Sequence, residues 1–583
     1  MAVYEFAGFR LDDGRRILLD RDGAAVVLTP KAYETLAYLV KHPGTVLDKE
    51  QLIQAIWPDT AVEENNLTQN ISLLRRVLGE KRGEHRFIAT VPGRGYHFVA
   101  PVTVDSTVGL RQDPVVSVSI AVLPFTNSSA DAEYDYFADG LADEIINTLS
   151  RVNGVRVAAR TSAFSFKKKQ VHIREIASLL DVAFVLEGSV RKSDRRLRIT
   201  AQLVSAADGY QLWSERYERE IGSRDLFDLQ DEITSAVISA LRLKLPGAQG
   251  ENHIRRKPGN PRAHELYLKG RFHLFQMSEH GIQAGIRHFE KAIEADPGYA
   301  PAHVGLAHAY RMFGLSLERP ANEAGPKSKT AALQAIALDD TLAEAQAVLA
   351  FTTFWYDWDW RLAEQHFKRA VALNPDSADT YWMYAHVPSN LGRHSEALAM
   401  MGRARELDPL SGLIHAMEGQ VLLHAGRPDD AVERLEEAVE LNPRSRVAHL
   451  FASNAYIAQR RFEDAIEEAR IAHDLCPVNS SARANEAYAH ARAGRESEAY
   501  EILVTLMDLA AKRYVPSSNI ALIHNALGRT GEALTWLDQA VEQHDPWLVF
   551  LGVDLKWKTL RDHPSYLALL RRLKLPTAWP QAS

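Results

Sequence analysis

The chain has one cysteine in 583 residues, Cys476, so no disulfide can form within it, and a reducing compartment suits it. No run approaches the roughly 20 consecutive apolar residues of a membrane span. The best, Val115 to Phe125, is far shorter and alternates as a strand does. The opening Met-Ala-Val-Tyr-Glu-Phe lacks the basic start and apolar core of a secretory leader. Excess charge of one sign is also missing, since 68 Lys and Arg against 75 Asp and Glu leave a net −7. Any nucleic-acid contact therefore has to be a local basic patch on one domain. Absent, too, are the glycine-rich nucleotide loop ending in Gly-Lys-Ser/Thr, the Gly-x-Ser-x-Gly elbow and the His-Glu-x-x-His zinc signature. These absences predict a cytoplasmic protein with no membrane segment, no cofactor, no metal site and no enzymatic activity. The length is too great for one core and predicts several domains.

What is present is most informative between Glu63 and Val99. Leu67, Ile71, Leu74 and Leu78 recur at helical spacing and predict one buried stripe over a Glu63–Leu78 helix. Thr68, Gln69, Ser72, Arg75 and Arg76 are then left on the outward faces, with Glu63 and Glu64 favouring the helix N-terminus through its dipole. After a break at Gly79–Gly83, Arg86 to Val99 reads as two strands joined by a tight turn, with Gly93 and Gly95 supplying backbone freedom. A polar helix beside a basic hairpin tip is the arrangement for a helix in the major groove and a wing near the minor groove of double-stranded DNA. Upstream, Tyr4–Phe9 and Val26–Leu28 read as strands. Thr29-Pro30 opens a helix with Leu36, Leu39 and Val40 inward, and Lys49–Trp57 forms a second helix that Pro58 stops.

Composition divides the chain into five stretches: an α+β head at 1–102, a polar linker at 103–114, an α/β block at 115–245, a Pro- and Gly-rich linker at 246–261, and an all-α array at 262–575. In the α/β block, Ser119–Leu123 and Val182–Val185 read as strands, and Tyr136–Leu149 and Ile173–Leu180 as helices. Arg195–Leu203 and Tyr210–Tyr217 read as a strand pair turned at Asp208-Gly209. In the array, Gly392, Gly426, Gly494 and Gly528 lie on one 34-residue ladder, with Arg460 on the missing rung. The alanines of Glu396-Ala397, Asp430-Ala431, Asp464-Ala465, Glu498-Ala499 and Glu532-Ala533 keep that period, as do prolines 375, 409, 443 and 477. This is the tetratricopeptide pattern, with Gly419, Ala431, Ala438 and Pro443 on its small and proline positions. Such arrays stack into a solenoid with a concave face suited to protein partners. Two early repeats depart from it: Leu317–Pro326 reads as an insertion, and Asp340 stands where proline is expected. The aromatic run Phe351, Phe354, Trp355, Tyr356, Trp358 and Trp360 reads as packing between helices. Lys167-Lys168-Lys169 reads as a charged loop. His303 and His308 stand five apart, on different helical faces, and do not form a zinc pair.

The first hundred residues resemble the winged-helix output domain of OmpR/PhoB-type response regulators, and more closely the CadC-like branch that carries it at the N-terminus. The residues that carry this are Leu28-Thr29-Pro30-Lys31-Ala32-Tyr33, Leu52-Ile53, Trp57-Pro58, Asn65 to Leu78, and Thr90 to Tyr96. The resemblance implies that Asn70, Ser72, Arg75 and Arg76 lie on the recognition helix and Arg94 on the wing. Ser72 and Leu73 stand where many relatives are basic, and Pro92 where the wing often has Arg, so base preference does not transfer. Phosphate contact would fall to Arg75, Arg76, Lys81, Arg82, Arg86 and Arg94. The block 115–245 offers no convergent acidic cluster of the receiver kind, so phosphorelay control within this chain is not expected. That block resembles the TolB-like N-terminal domain, on Ile120 to Phe125, Phe137 to Leu141, Leu186 to Val190 and Trp213 to Tyr217. The resemblance implies an α/β module for sensing or interaction. The resulting expectation is a DNA-binding transcriptional regulator acting in signal transduction. It would bind as a homodimer on paired half-sites and reach protein partners, RNA polymerase among the candidates, through its repeats. The rival is a tetratricopeptide scaffold whose head has lost its DNA affinity.

Overall fold

The computed structural model describes residues 3–12, 17–19, 25–26, 30–56, 64–80, 86–91, 94–105, 118–129, 134–150, 152, 154–169, 171–193, 196–220, 225–242, 260–316 and 318–577. The chain divides into two compact units, Met1–Ser117 and Val118–Ser583. The first contains β1 (Val3–Phe6), β2 (Phe9–Asp12), β3 (Ile17–Leu19), β4 (Ala25–Val26), α1 (Pro30–Lys41), β5 (Leu47–Asp48), α2 (Lys49–Ile56), α3 (Glu64–Val77), β6 (Ile88–Val91), β7 (Gly95–Phe98) and β8 (Thr103–Asp105). One sheet runs β4-β3-β2-β1-β8 and a smaller one β5-β7-β6.

Two details differ from expectation. The strand expected over Tyr4–Phe9 is a hairpin, because Ala7 and Gly8 both take positive φ (47° and 88°) and reverse the chain, in the turn sense that suits strand twist. The linker expected at 103–114 begins with β8, whose β-branched Thr103 and Val104 pair with Glu5 and Tyr4 of β1. Thr29, Trp57 and Pro58 lie outside the described residues. Between the sheets and helices sits one apolar core built on Phe6, Leu36, Leu52, Leu67, Ile71, Leu74 and Phe98.

The second unit opens with an α/β domain of β9 (Val118–Val122), β10 (Thr126–Asn127), α4 (Asp135–Leu149), β11 (Val155–Val157), α5 (Arg160–Phe164), α6 (Ile173–Leu179), β12 (Phe184–Ser193), β13 (Arg196–Ser205), β14 (Gln211–Glu220) and α7 (Asp225–Arg242). Its sheet runs β11-β9-β12-β13-β14, with β10 beside β12. β11, β9 and β12 are mutually parallel, and β13 and β14 continue antiparallel. β12 outruns the strand expected over Val182–Val185 because Gly188 lets it pass under Phe125. A Cβ there would meet that ring at 2.3 Å and the Thr200 carbonyl oxygen at 2.4 Å.

Helix α8 (Pro261–Leu274), capped by the Asn260 side chain on the Arg262 N–H, begins the repeats. Most of the proposed linker 246–261 lies outside the described residues. Antiparallel helix pairs follow, such as Gly412–His424 with Pro428–Leu441 and Arg446–Ala458 with Phe462–Leu475. The 34-residue ladder has a backbone cause. Gly392, Gly426, Gly494 and Gly528 take φ of 77°, 75°, 83° and 72°, and Arg460 takes 62°, the left-handed turn that ends the first helix of each pair. Ala397, Ala431, Ala465, Ala499 and Ala533 are buried where helices cross. At Gly419 a Cβ would stand 2.5 Å from Leu435 Cγ.

The α/β domain is seated on the repeats. Asp143 of α4 lies between Arg160 Nε (3.3 Å) and Arg271 Nη2 (2.9 Å), and the Ser162 N–H donates to Asp408 Oδ1 at 3.1 Å. The array also closes on itself. Trp360 Nε1 donates to the Leu573 carbonyl at 3.2 Å, Trp355 packs edge-on to Trp547 and Phe550, and the Ser480 N–H donates to Glu318 Oε1 at 2.8 Å. The aromatic run therefore packs between helices and against the returning C-terminal segment. The expected insertion at 317–326 holds Glu318, with φ +48°, and the start of a helix over Ala321–Leu338 with Pro326 inside it.

Candidate nucleic-acid interface

Leu67, Ile71, Leu74 and Leu78 are all buried, which fixes the rotation of α3 about its axis. Thr68 and Ser72, one turn apart, are exposed, and the Ser72 hydroxyl donates to the Thr68 carbonyl at 2.9 Å. Gly79, with φ +74°, ends the helix, and the Glu80 N–H donates back to the Arg75 carbonyl at 2.8 Å, in the Schellman manner.

Arg75 departs from the outward, phosphate-facing placement expected of it. Its Nη2 donates to the Ile88 carbonyl and to Thr90 Oγ1, both at 2.8 Å, and its Nε donates to the same carbonyl at 3.3 Å. The cause is its position beside Leu74 at the edge of the buried stripe, where β6 passes within reach. Asn70 is likewise committed, with Nδ2 donating to Thr35 Oγ1 of α1 at 3.3 Å. Both side chains hold α3 in place against α1 and β6.

A residue that sequence reasoning missed completes this clamp. Glu80 is buried and accepts the N–H of Arg86 (3.0 Å) and of Ile88 (3.3 Å). Arg75 takes the carbonyl of Ile88 and Glu80 its N–H, so the end of α3 grips the first wing strand by both polar groups of one residue. An acid directly after the helix-stopping Gly79 and before Lys81-Arg82 was the available signal.

The wing register pairs Ile88 with Phe98, Thr90 with Tyr96 and Val91 with Gly95. The Arg94 N–H donates to the Val91 carbonyl at 3.1 Å, and its own carbonyl accepts from Lys49 N–H at 3.2 Å. This leaves the tip anchored through its backbone. The Arg94 side chain is exposed, with Nε 3.9 Å from the exposed Asp48 carboxylate, too loose a pair to hold it. Gly95 is required for space and not for freedom of φ, since a Cβ would stand 2.0 Å from the Leu47 carbonyl oxygen. Arg86 is exposed, its guanidinium 5.2 Å from the Phe87 ring centroid. Lys81, Arg82 and Gly93 lie outside the described residues. Gln69 and Arg76 fall on described turns of α3.

The structure thus brings together exposed Thr68, Ser72, Arg86 and Arg94 on one helix-and-wing frame held by Arg75, Asn70 and Glu80. Such a frame offers hydroxyls to base edges and guanidinium groups to phosphates. Among the described residues no group of three or more His, Cys, Asp or Glu side chains is arranged to hold a metal, and no helix is long and apolar enough to cross a membrane.

Residues 23–98 match the family described as "Transcriptional regulatory protein, C terminal". Residues 116–236 match "HilA/YgeH-like transcriptional regulator, second domain", and it is this description that the middle block fits. Residues 389–446 and 416–477 match "Tetratricopeptide repeat". The chain is 38% identical over 242 residues to "Putative adenylate cyclase 3" of Rhizobium meliloti, covering 41% of this chain and 40% of that one. It is 24% identical over 412 residues to "Transcriptional regulator HilA" of Salmonella typhimurium, covering 69% and 70%. Among solved structures, the DNA-binding domain of E. coli CadC is 30% identical and covers 18% of this chain and 96% of that domain, with a TM-score of 0.16. The chain therefore carries the domains of a transcriptional regulator: an OmpR/PhoB-type winged-helix DNA-binding domain, a HilA-like second domain and a tetratricopeptide array.

Proposed function

We propose that the protein regulates transcription by binding promoter DNA through its winged head, with α3 in the major groove and the β6–β7 tip at the minor groove. Thr68 and Ser72, with Gln69 beside them, read base edges. Arg86 and Arg94, together with Arg76, Lys81 and Arg82, neutralise phosphates. Arg75 and Asn70 serve as positioning residues and do not themselves touch DNA. Two heads occupy repeated half-sites in the cytoplasm, and the HilA-like and tetratricopeptide regions join DNA occupancy to a protein partner, RNA polymerase being the candidate. The single observation that carries this reading is the clamp of Arg75 and Glu80 on Ile88. It fixes wing against helix while Thr68, Ser72 and Arg94 stay exposed. The name of the Rhizobium relative belongs to a protein of which this chain spans 40%, and this protein acts as a regulator and not as an enzyme.

The test is footprinting of the full chain on genomic fragments. Discrete protected sites with paired half-sites are expected, and Thr68→Ala with Ser72→Ala should blur their base preference. Weak, featureless protection would favour the scaffold reading and overturn this one.

A further inference from the structure

The helices Ala300–Ser316 and Ala321–Leu338, with the residues around Phe351–Tyr356, enclose a cleft of about 410 Å³, its open mouth included. Two arginines, Arg311 and Arg319, line it, and no Asp or Glu does. Arg311 makes no ion pair among the described residues. Its Nε is shielded from solvent without an acceptor, and its guanidinium carbon stands 5.0 Å over the Phe351 ring. Burial lowers its pKa to about 10 against the opposing pull of Asp379, which lies beyond ion-pair distance. Arg319 Nε and Trp355 Nε1 also lack acceptors, although Arg319 Nη2 comes within 3.5 Å of Glu279.

The hydroxyl groups of the wall are already committed. Ser328 Oγ donates to the Ala307 carbonyl and Thr352 Oγ1 to the Val348 carbonyl, both at 2.9 Å, and Tyr310 donates to Glu290 at 2.8 Å. The unpartnered nitrogens of the cleft are therefore all donors, and its lining carries a net positive charge. An interior cation without a close ion pair is costly, and a buried donor without an acceptor adds to that cost. The remaining walls are flat and aromatic. Phe351 and Trp355 pack at 5.6 Å between ring centroids, and Tyr356 lies against Gly325, where a Cβ would meet its ring at 2.6 Å.

We propose that this cleft binds a small aromatic carboxylate, its ring against Phe351 and Trp355 and its carboxylate on Arg311. Arginine suits this role because its fork presents two parallel donors to a carboxylate. Binding stands independently of the DNA-binding reading. Only the view of the ligand as an effector rests on that reading.

Calorimetric titration of the full chain with phenylacetate and indole-3-acetate, each beside its uncharged amide, tests the proposal. The carboxylates should bind at least tenfold more tightly than the amides. Arg311→Met should weaken the carboxylates at least tenfold without affecting the amides, and Trp355→Phe should remove most of the fluorescence change on binding. Arg311→Lys, which keeps the charge and loses the fork, should fall between and guards against a Met variant that fails to fold. No heat up to millimolar carboxylate, equal binding of the amides, or unchanged binding in Arg311→Lys would overturn it. Promoter binding assayed on the same preparations separates the two readings, since each can fail while the other stands.

Discussion

Arg75 and Arg94 carry the same charge on the same small domain and do different work. The Arg75 guanidinium spends its donors on the Ile88 carbonyl and Thr90, whereas Arg94 is exposed beside a distant carboxylate. Hydrogen bonds from a charged donor contribute about 1.5–3 kcal/mol. Arg75→Ala should therefore raise amide exchange at Ile88 and Thr90 in the full chain, with a loss of about 1–3 kcal/mol of local stability. Its DNA affinity should fall with little change in salt dependence. A large change in salt slope with unaltered exchange would make Arg75 a phosphate contact after all. The sequence pattern put both arginines on the candidate surface, Arg75 by helical spacing and Arg94 by its place at the hairpin tip. It could not separate them, because Arg75 stands at the edge of the apolar stripe and only the path of β6 decides which way it turns. Glu80 escaped notice for a related reason: its partners are backbone groups of residues 86 and 88, which leave no trace in side-chain spacing.

At the scale of the element, the repeat period was legible because it is imposed by backbone geometry. Every 34 residues the chain needs a left-handed residue, and glycine is the cheapest one. Arg460 meets the same need at φ 62° with a side chain that is exposed, so Arg460→Gly removes the steric cost of that conformation. A gain of about 0.5–1 kcal/mol is expected, read as a higher urea midpoint with unchanged slope. Gly419→Ala should act oppositely, since its methyl would stand 2.5 Å from Leu435 Cγ. The expected loss is about 1–3 kcal/mol, and a neutral result would mean that the helix pair slides apart more easily than its packing suggests. β12 was only half legible, because Glu187-Gly188-Ser189 interrupts its apolar pattern while Gly188 meets a packing demand set by Phe125 and Thr200.

Across the whole molecule, the closure of the array was not legible at all. Glu318 meets Ser480 across 162 residues of sequence, and Trp360 meets Leu573 across 213, separations at which no periodicity speaks. Burial pushes the Glu318 carboxyl up to about 7 from its ordinary 4.5. The folded chain therefore holds a proton that the unfolded chain releases, and this group's contribution to stability falls as pH rises from about 4.5 to about 7, then levels off. Glu318→Gln keeps the acceptor for Ser480 and removes the charge. The variant should match the parent near pH 5 and exceed it at pH 8, by on the order of 1–3 kcal/mol, in paired thermal melts. A constant difference across that range would show that Glu318 does not titrate there.

The central claim is that a local basic wing beside α3 engages a duplex although the chain as a whole is acidic. The most direct measurement is the salt dependence of DNA affinity for the full chain and for its Arg86→Ala and Arg94→Ala variants. Each substitution should flatten the slope of log affinity against log salt by about one unit, lowering affinity alike on every sequence. Slopes that stay at the parent value in both variants would contradict the account.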